Sequence, residues 1–183
     1  MTRVDLPHLG TLTSLPALDE PDLLAKPVAA ALADWPHAGV VAVAEIDPDL
    51  ADTAACSEAY QVPMDAGANC VVVSGRRAGE ERVAACLVRA DTRADVNNLV
   101  KRRLDVRKAS FLSMERAVDE SGMEYGGITP VGLPEEWRLF VDAAVLDLPA
   151  VLIGSGVRRS KLILPGQVLG ELPRAEVIEG LGI

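Results

Sequence analysis

Histidine is almost absent from this chain: only His8 and His37 occur, each flanked by Pro or Gly near the N-terminus. The three cysteines, Cys56, Cys70 and Cys86, show no Cys-x-x-Cys spacing. A Cys/His zinc site therefore lacks a ligand set, and a Ser-His-Asp or Cys-His catalytic group is hard to build. Neither a metal nor a cofactor is expected. Cys70 and Cys86 lie in apolar runs, where a free thiol packs as a small core residue. Aromatics make up 3% of the residues, too few for the stacking platforms of single-strand nucleic-acid binders. No apolar run is long enough to span a bilayer. Met1-Thr2-Arg3-Val4-Asp5 also lacks the basic-then-apolar order of a signal peptide. A soluble cytoplasmic protein without a membrane partner is the expectation.

What is present is a core and an uneven charge. Of 183 residues, 49% are apolar, mostly Ala, Val and Leu, enough for one sizeable core. The net charge of -9 argues against a generic DNA- or RNA-coating protein. Residues 76–116 nevertheless carry 11 basic and 6 acidic side chains, a balance of +5. A basic middle on an acidic protein fits one specific polyanion contact, or simply a solvated helix face.

Residues 1–20 have no period and read as an N-terminal extension lying over the surface; residues 21–183 read as one domain. Pro27 opens a helix with Val28, Ala31, Leu32 and Trp35 on one face. Val40 to Ile46 reads as a strand, and Asp47 starts a short helix running to about Tyr60. Asn69 to Ser74 and Arg82 to Arg89 read as strands of a hairpin closed over 75–79. Asp95 and Ser113 are helix N-caps, the second helix stopping at Gly122. Arg107 to Leu112, Arg138 to Val141, Ala150 to Ile153, Lys161 to Leu164 and Ala175 to Ile178 read as strands. Asp142 and Pro165 each begin a short helix. The pattern predicts an α/β (α+β) domain with a mixed sheet.

The most distinctive stretch is Met123-Glu124-Tyr125-Gly126-Gly127-Ile128-Thr129-Pro130-Val131-Gly132-Leu133-Pro134. Adjacent glycines leave the Gly127 and Ile128 amides open to a ligand, and Pro130 fixes the exit. Such an amide-lined loop suits an ester oxygen or a phosphate; its plain alternative is a tight helix-to-strand connection.

With Lys108-Ala109-Ser110-Phe111 and Ser121-Gly122 before it, and Val141-Asp142 and Ile153-Gly154-Ser155-Gly156-Val157-Arg158-Arg159 after it, this loop resembles the YbaK family. That family is the stand-alone relative of the editing domain inserted in bacterial prolyl-tRNA synthetases. The similarity covers roughly residues 25–180 and implies a barrel-like mixed sheet flanked by helices. It also implies trans-editing, hydrolysis of the ester that joins a wrong amino acid to the terminal adenosine of a tRNA. The implied partners are the aminoacyl-tRNA acceptor end and an aminoacyl-tRNA synthetase, not DNA.

On that resemblance Gly126, Gly127, Ile128 and Asp142 are the candidate catalytic residues. Asn69, Thr129, Pro130, Gly154, Ser155 and Gly156 are candidates to bind substrate. Lys101, Arg102, Arg158 and Arg159, with Arg76, Arg77 and Arg103, are candidates for acceptor-stem phosphates. Asp142 binds the substrate amine, positions a water or caps a helix, and Gly154-Ser155-Gly156 is a pocket wall or a plain hairpin turn. One departure stands out: family members carry Lys where this chain has Asn69, which offers hydrogen bonds but no positive charge. Lys101 or Arg82 are then the candidates to supply that charge. The alternative function is a silent module that binds an acceptor end or an adenosine-containing ligand without hydrolysis.

Overall fold

The computed structural model describes residues 5–183; the first four residues of the expected extension lie outside these. Among the described residues, nine strands form two sheets. The first sheet contains β1 (Leu15–Pro16), β2 (Ala42–Glu45), β7 (Val151–Gly154) and β8 (Ser160–Leu164). Its order is β1-β2-β8-β7, antiparallel throughout. The second contains β3 (Ala68–Arg77), β4 (Glu80–Arg89), β5 (Ala109–Phe111), β6 (Arg138–Asp142) and β9 (Ala175–Ile178), in the order β5-β3-β4-β6-β9. Here β4, β6 and β9 run parallel, while β3 is antiparallel to both its neighbours.

Strand alternation sends one face of each sheet to a shared core. Val43, Leu162, Leu164, Val151 and Ile153 from the smaller sheet meet Ala85, Leu87, Leu139 and Val141 from the larger one. Helix α1 (Lys26–Asp34) seals this core with Val28 and Leu32, its Pro27 sitting in the first turn as the sequence predicts. Trp35 anchors the helix end through Nε1, which donates to the Glu171 carbonyl at 3.1 Å.

The outer faces are covered too. A single π-type turn (Val96–Val100) leads into α3 (Lys101–Leu104), which lays Val100 and Leu104 against Val73, Cys86 and Phe140 of the larger sheet. Helix α2 (Thr53–Tyr60) puts Cys56 against Ala44, Leu152 and Ile163 of the smaller one. Helices α4 (Met114–Ser121), α5 (Ala143–Leu146) and α6 (Gly166–Leu169) complete the chain. Two anchors of the expected extension are buried, Leu12 at 2% and Ala17 at 1% exposure, and Leu15 and Pro16 pair with β2. Among the described residues no helix is long and apolar enough to cross a membrane.

The feature that positions the site is the seam between the sheets. Gly67, just before β3, bridges Leu152 of β7 in parallel. Beyond that contact no ladder forms, and β5 pairs with β3 only from Val73 onward. The edge of β3 from Ala68 to Val71 is thus left facing a gap, Val72 already accepting from Leu112 N at 2.9 Å.

Candidate functional site

A cavity of about 280 Å³ fills that gap. One wall is the β3 edge, Ala68 to Val71; the opposite wall is Leu152, Ile153 and Gly154 of β7. The start of α2 contributes Asp52, Thr53 and Cys56, and α4 contributes Met114. Gly126 and Ile128 of the Gly/Pro loop close one side, and Lys161 enters from β8.

The loop is held by an interlock with the β7–β8 connection. Glu124 N donates to the Gly156 carbonyl at 2.8 Å, and Gly156 N returns a 2.7 Å bond to the Gly127 carbonyl. Gly126 takes φ +76°, a conformation in which an L side chain is strained. Gly154 lets the loop touch β7: a Cβ there would stand 2.6 Å from the Gly127 carbonyl oxygen and 2.7 Å from that of Ile128.

This arrangement sorts the loop amides. Gly127 N is occupied, donating to the Glu124 carbonyl at 3.0 Å, and Gly127 does not line the cavity. The Gly126 and Ile128 amides donate to no backbone carbonyl among the described residues, and both residues line it. The open pair is therefore 126 and 128, not 127 and 128.

A sequence model of the aminoacyl-tRNA editing domain family matches residues 47–172. The chain belongs to that family, the YbaK and prolyl-tRNA synthetase-associated group. Two proline–tRNA ligases, from Listeria welshimeri and Listeria monocytogenes, are 32% and 31% identical over 77 residues. Each match covers 42% of this chain and only 13% of the ligase. A crystal structure proposed to be a trans-editing enzyme for prolyl-tRNA synthetase superposes with a TM-score of 0.72 at 21% identity. It covers 85% of this chain and 94% of that one, a likeness of fold.

Within this editing-domain fold, the expected site residues separate into two groups. Asn69, Gly126, Ile128 and Gly154 converge on the cavity. Asn69 is oriented by Thr53, whose Oγ1 donates to Asn69 Oδ1 at 2.7 Å. The others stand behind or beside it. Thr129 is fully buried, its Oγ1 without a partner among the described residues. Pro130 faces a separate hollow with Trp35 and Trp137. Ser155, fully buried, donates to backbone carbonyls of its own turn and accepts from Ser160 Oγ at 2.7 Å, and Gly156 faces α1. The Gly154-Ser155-Gly156 turn thus touches the cavity through Gly154 alone.

Asp142 stands apart from the cavity. It is 3% exposed and lies outside the cavity lining. Oδ1 accepts from Ala144 N at 3.4 Å, capping α5, and Oδ2 accepts from Gly182 N at 3.0 Å. With both oxygens taken by backbone amides, the carboxylate fixes the C-terminal segment. Its helix-cap reading is the one the geometry fits.

The basic residues divide similarly. Lys101 and Arg102 line a shallow hollow of their own with Asn97 and Asn98. Arg82 is tied to the Asp105 carboxylate at 3.0 Å and so does not supply charge to the cavity. Arg77, Arg89 and Arg116 are also ion-paired, which neutralises much of the basic middle. Arg159 bonds the Asp22 carbonyl. Arg158 stands beside the loop, donating to the carbonyls of Tyr125 at 3.2 Å and Pro48 at 3.0 Å.

The residue that sequence reading missed is Lys161. It is 7% exposed, lines the cavity, and takes part in none of the ion pairs among the described residues. Loss of hydration pushes its ammonium below the ordinary lysine range; Cys56 and Asp52 oppose the shift and Arg158 adds to it. Burial raises the Cys56 and Cys70 thiols above their ordinary value, so neither is an activated nucleophile at neutral pH.

Proposed function

We propose that this cavity hydrolyses the ester of mischarged aminoacyl-tRNA in trans. The observation that carries the reading is the pair of open amides, Gly126 and Ile128, fixed at the rim of a cavity in an editing-domain fold. An aminoacyl ester is already activated, so the protein's task is to orient the attack and stabilise an oxyanion. Water adds through oxygen to the carbonyl carbon, and the carbon–oxygen bond to the ribose then breaks. The ribose oxygen keeps the electron pair and takes the proton that the water gives up. Free amino acid and intact tRNA are the products.

The size of the site is consistent with this. About 280 Å³ falls just below the range of drug-sized pockets, roughly 300–1,000 Å³, so the aminoacyl group and its ribose fit while the base stays at the mouth. Arg158 and Arg159 at the neighbouring turn, and Lys101 and Arg102 on α3, are the proposed phosphate contacts of the acceptor stem. A synthetase partner and a cytoplasmic location belong to the same proposal. A second reading, a pocket that binds without turnover, is favoured by the neutral Asn69 on the β3 wall, at the position where the family resemblance implies a lysine.

The test is a panel of mischarged tRNAs, proline tRNAs first because the matched ligases are proline–tRNA ligases. The expected result is ester release well above that of a Gly126→Ala/Gly127→Ala variant. No release above that variant for any amino acid retires the hydrolytic reading; binding of an acceptor-end mimic without release supports the silent one.

A further inference from the structure

We propose that Lys161 is the catalytic cation of this cavity, delivered from β8 in place of the strand position that Asn69 occupies. The inference rests on the deacylase reading and assigns the charge which that reading otherwise lacks.

Three observations carry it. Lys161 is buried to 7% exposure, lines the cavity, and has no side-chain hydrogen bond or ion pair among the described residues. Its stem is buried while its ammonium is not among the fully enclosed unpartnered polar atoms, so the charged end stays accessible to whatever occupies the cavity. Second, its cross-strand neighbours are Ala44 on β2 and Gly154 on β7, two of the smallest residues available. Cross-strand neighbours share a sheet face, and because Gly154 has no side chain the loop backbone of Gly127 and Ile128 packs directly onto the face that carries Lys161. Third, among the described residues Lys161 is the one cation in the cavity lining: Arg158 and Arg159 lie outside it, at the neighbouring turn. The cavity's own carboxylate, Asp52, makes no cap bond at the start of α2 and balances the ammonium without pairing to it.

In the reaction, the Lys161 Nζ–H group donates to the ester carbonyl oxygen as it gathers negative charge. The Gly126 and Ile128 amides donate to the same developing oxyanion. The ammonium keeps its proton throughout: it stabilises charge and is neither consumed nor a nucleophile. An ammonium opposite the loop thus performs a charge-stabilising role that no side chain on β3 can fill here.

The test uses Lys161→Met, which keeps the stem, and Lys161→Arg, which keeps the charge. Single-turnover hydrolysis of a mischarged tRNA is read beside the affinity of an unhydrolysable 3′-aminoacylamido-adenosine. Lys161→Met is expected to slow the chemical step by about 10²–10³-fold, the usual effect of removing one oxyanion donor. Analogue affinity changes by less than about tenfold, since the donor acts mainly on transition-state charge. Lys161→Arg recovers part of the rate. A Lys161→Met rate within about threefold of native, with the native protein active, overturns the proposal and leaves the deacylase reading intact. A second readout does not need turnover: in protein labelled with ¹³C at lysine Cε, the Lys161 resonance is expected to shift when the analogue binds. Analogue binding that leaves that resonance unmoved overturns the proposal as well. A native protein that neither binds the analogue nor releases any ester overturns both.

Discussion

Gly154→Ala tests whether strand and loop truly meet at the cavity wall. The added methyl carbon would lie 2.6 Å from the Gly127 carbonyl oxygen, 2.7 Å from the Ile128 oxygen and 3.0 Å from the Gly127 carbonyl carbon. All three are backbone atoms, so no side chain can rotate away. Restoring ordinary non-bonded contact means moving the loop or β7 by about half an ångström or more. The loop cannot slide freely, because the 2.7 Å and 2.8 Å bonds to Gly156 tie it to the same hairpin. Overpacking of this kind costs about 1–3 kcal/mol. At roughly 2–4 °C per kcal/mol for a domain of this size, the melting temperature falls by about 2–12 °C. The same displacement moves the Gly126 and Ile128 amides off the oxyanion position, and misplacement of up to about 1 Å lowers the rate by as much as about 10²-fold. Thermal melts and single-turnover hydrolysis measure the two effects. Gly39→Ala is the control, since a methyl there meets nothing within 4 Å. If Gly154→Ala melts and reacts like that control, the contact between β7 and the loop is wrong, and the account of the cavity wall goes with it.

Other perturbations separate scaffold from site. Lys161→Met is expected to raise stability at neutral pH by about 1 kcal/mol or more, because it removes a desolvated charge. The lysine is depressed in the folded state, so between its lowered value and the ordinary 10.5 the unfolded chain holds more protons. Native stability therefore rises with pH across that window, and the advantage of Lys161→Met shrinks there; melts in urea from pH 7 to pH 10 read the trend, and an advantage that grows with pH contradicts it. Asp142→Ala should cost about 2 kcal/mol by releasing the Ala144 and Gly182 amides, while the folded variant keeps the native hydrolysis rate. A large rate loss in folded Asp142→Ala would return that carboxylate to the reaction. Thr129→Val removes a buried hydroxyl without a partner and is expected to leave stability equal or raise it by about 1 kcal/mol, with activity unchanged.

Local chemistry was legible in the sequence wherever one or two residues decide it. Pro27, Ser113 and Asp142 each mark a helix start that the structure contains, because capping and fixed φ act within one turn. The β3–β4 hairpin was visible too, yet its turn is only Ala78-Gly79, tighter than the 75–79 expected. The ladder runs on through Arg76 opposite Glu81 and Arg77 opposite Glu80, charged residues that composition alone reads as loop, while their side chains pair elsewhere, Arg77 with Asp105 and Glu81 with Arg116. Long-range pairing was not legible: nothing local says that β6 runs parallel between β4 and β9, or that Gly67 meets Leu152.

The site follows the same division. The Gly/Pro loop announces itself by its residues, but which amides stay open depends on the Glu124 and Gly156 bonds, made by segments distant in sequence. Lys161 shows the limit best. In Ser160-Lys161-Leu162-Ile163-Leu164 it lies next to a continuous apolar run, where a single lysine at a strand's start reads as a solvated strand end. It is buried because α2 covers that outer face and the loop closes over Gly154. Ile163, two residues on and on the same face, is the one local sign that this face is covered, and a single apolar residue does not separate a cavity lysine from a surface one. What separates them is the covering of the face, and that is set by tertiary packing, so charge missing from one strand can return from another without any sign in the motif that lost it.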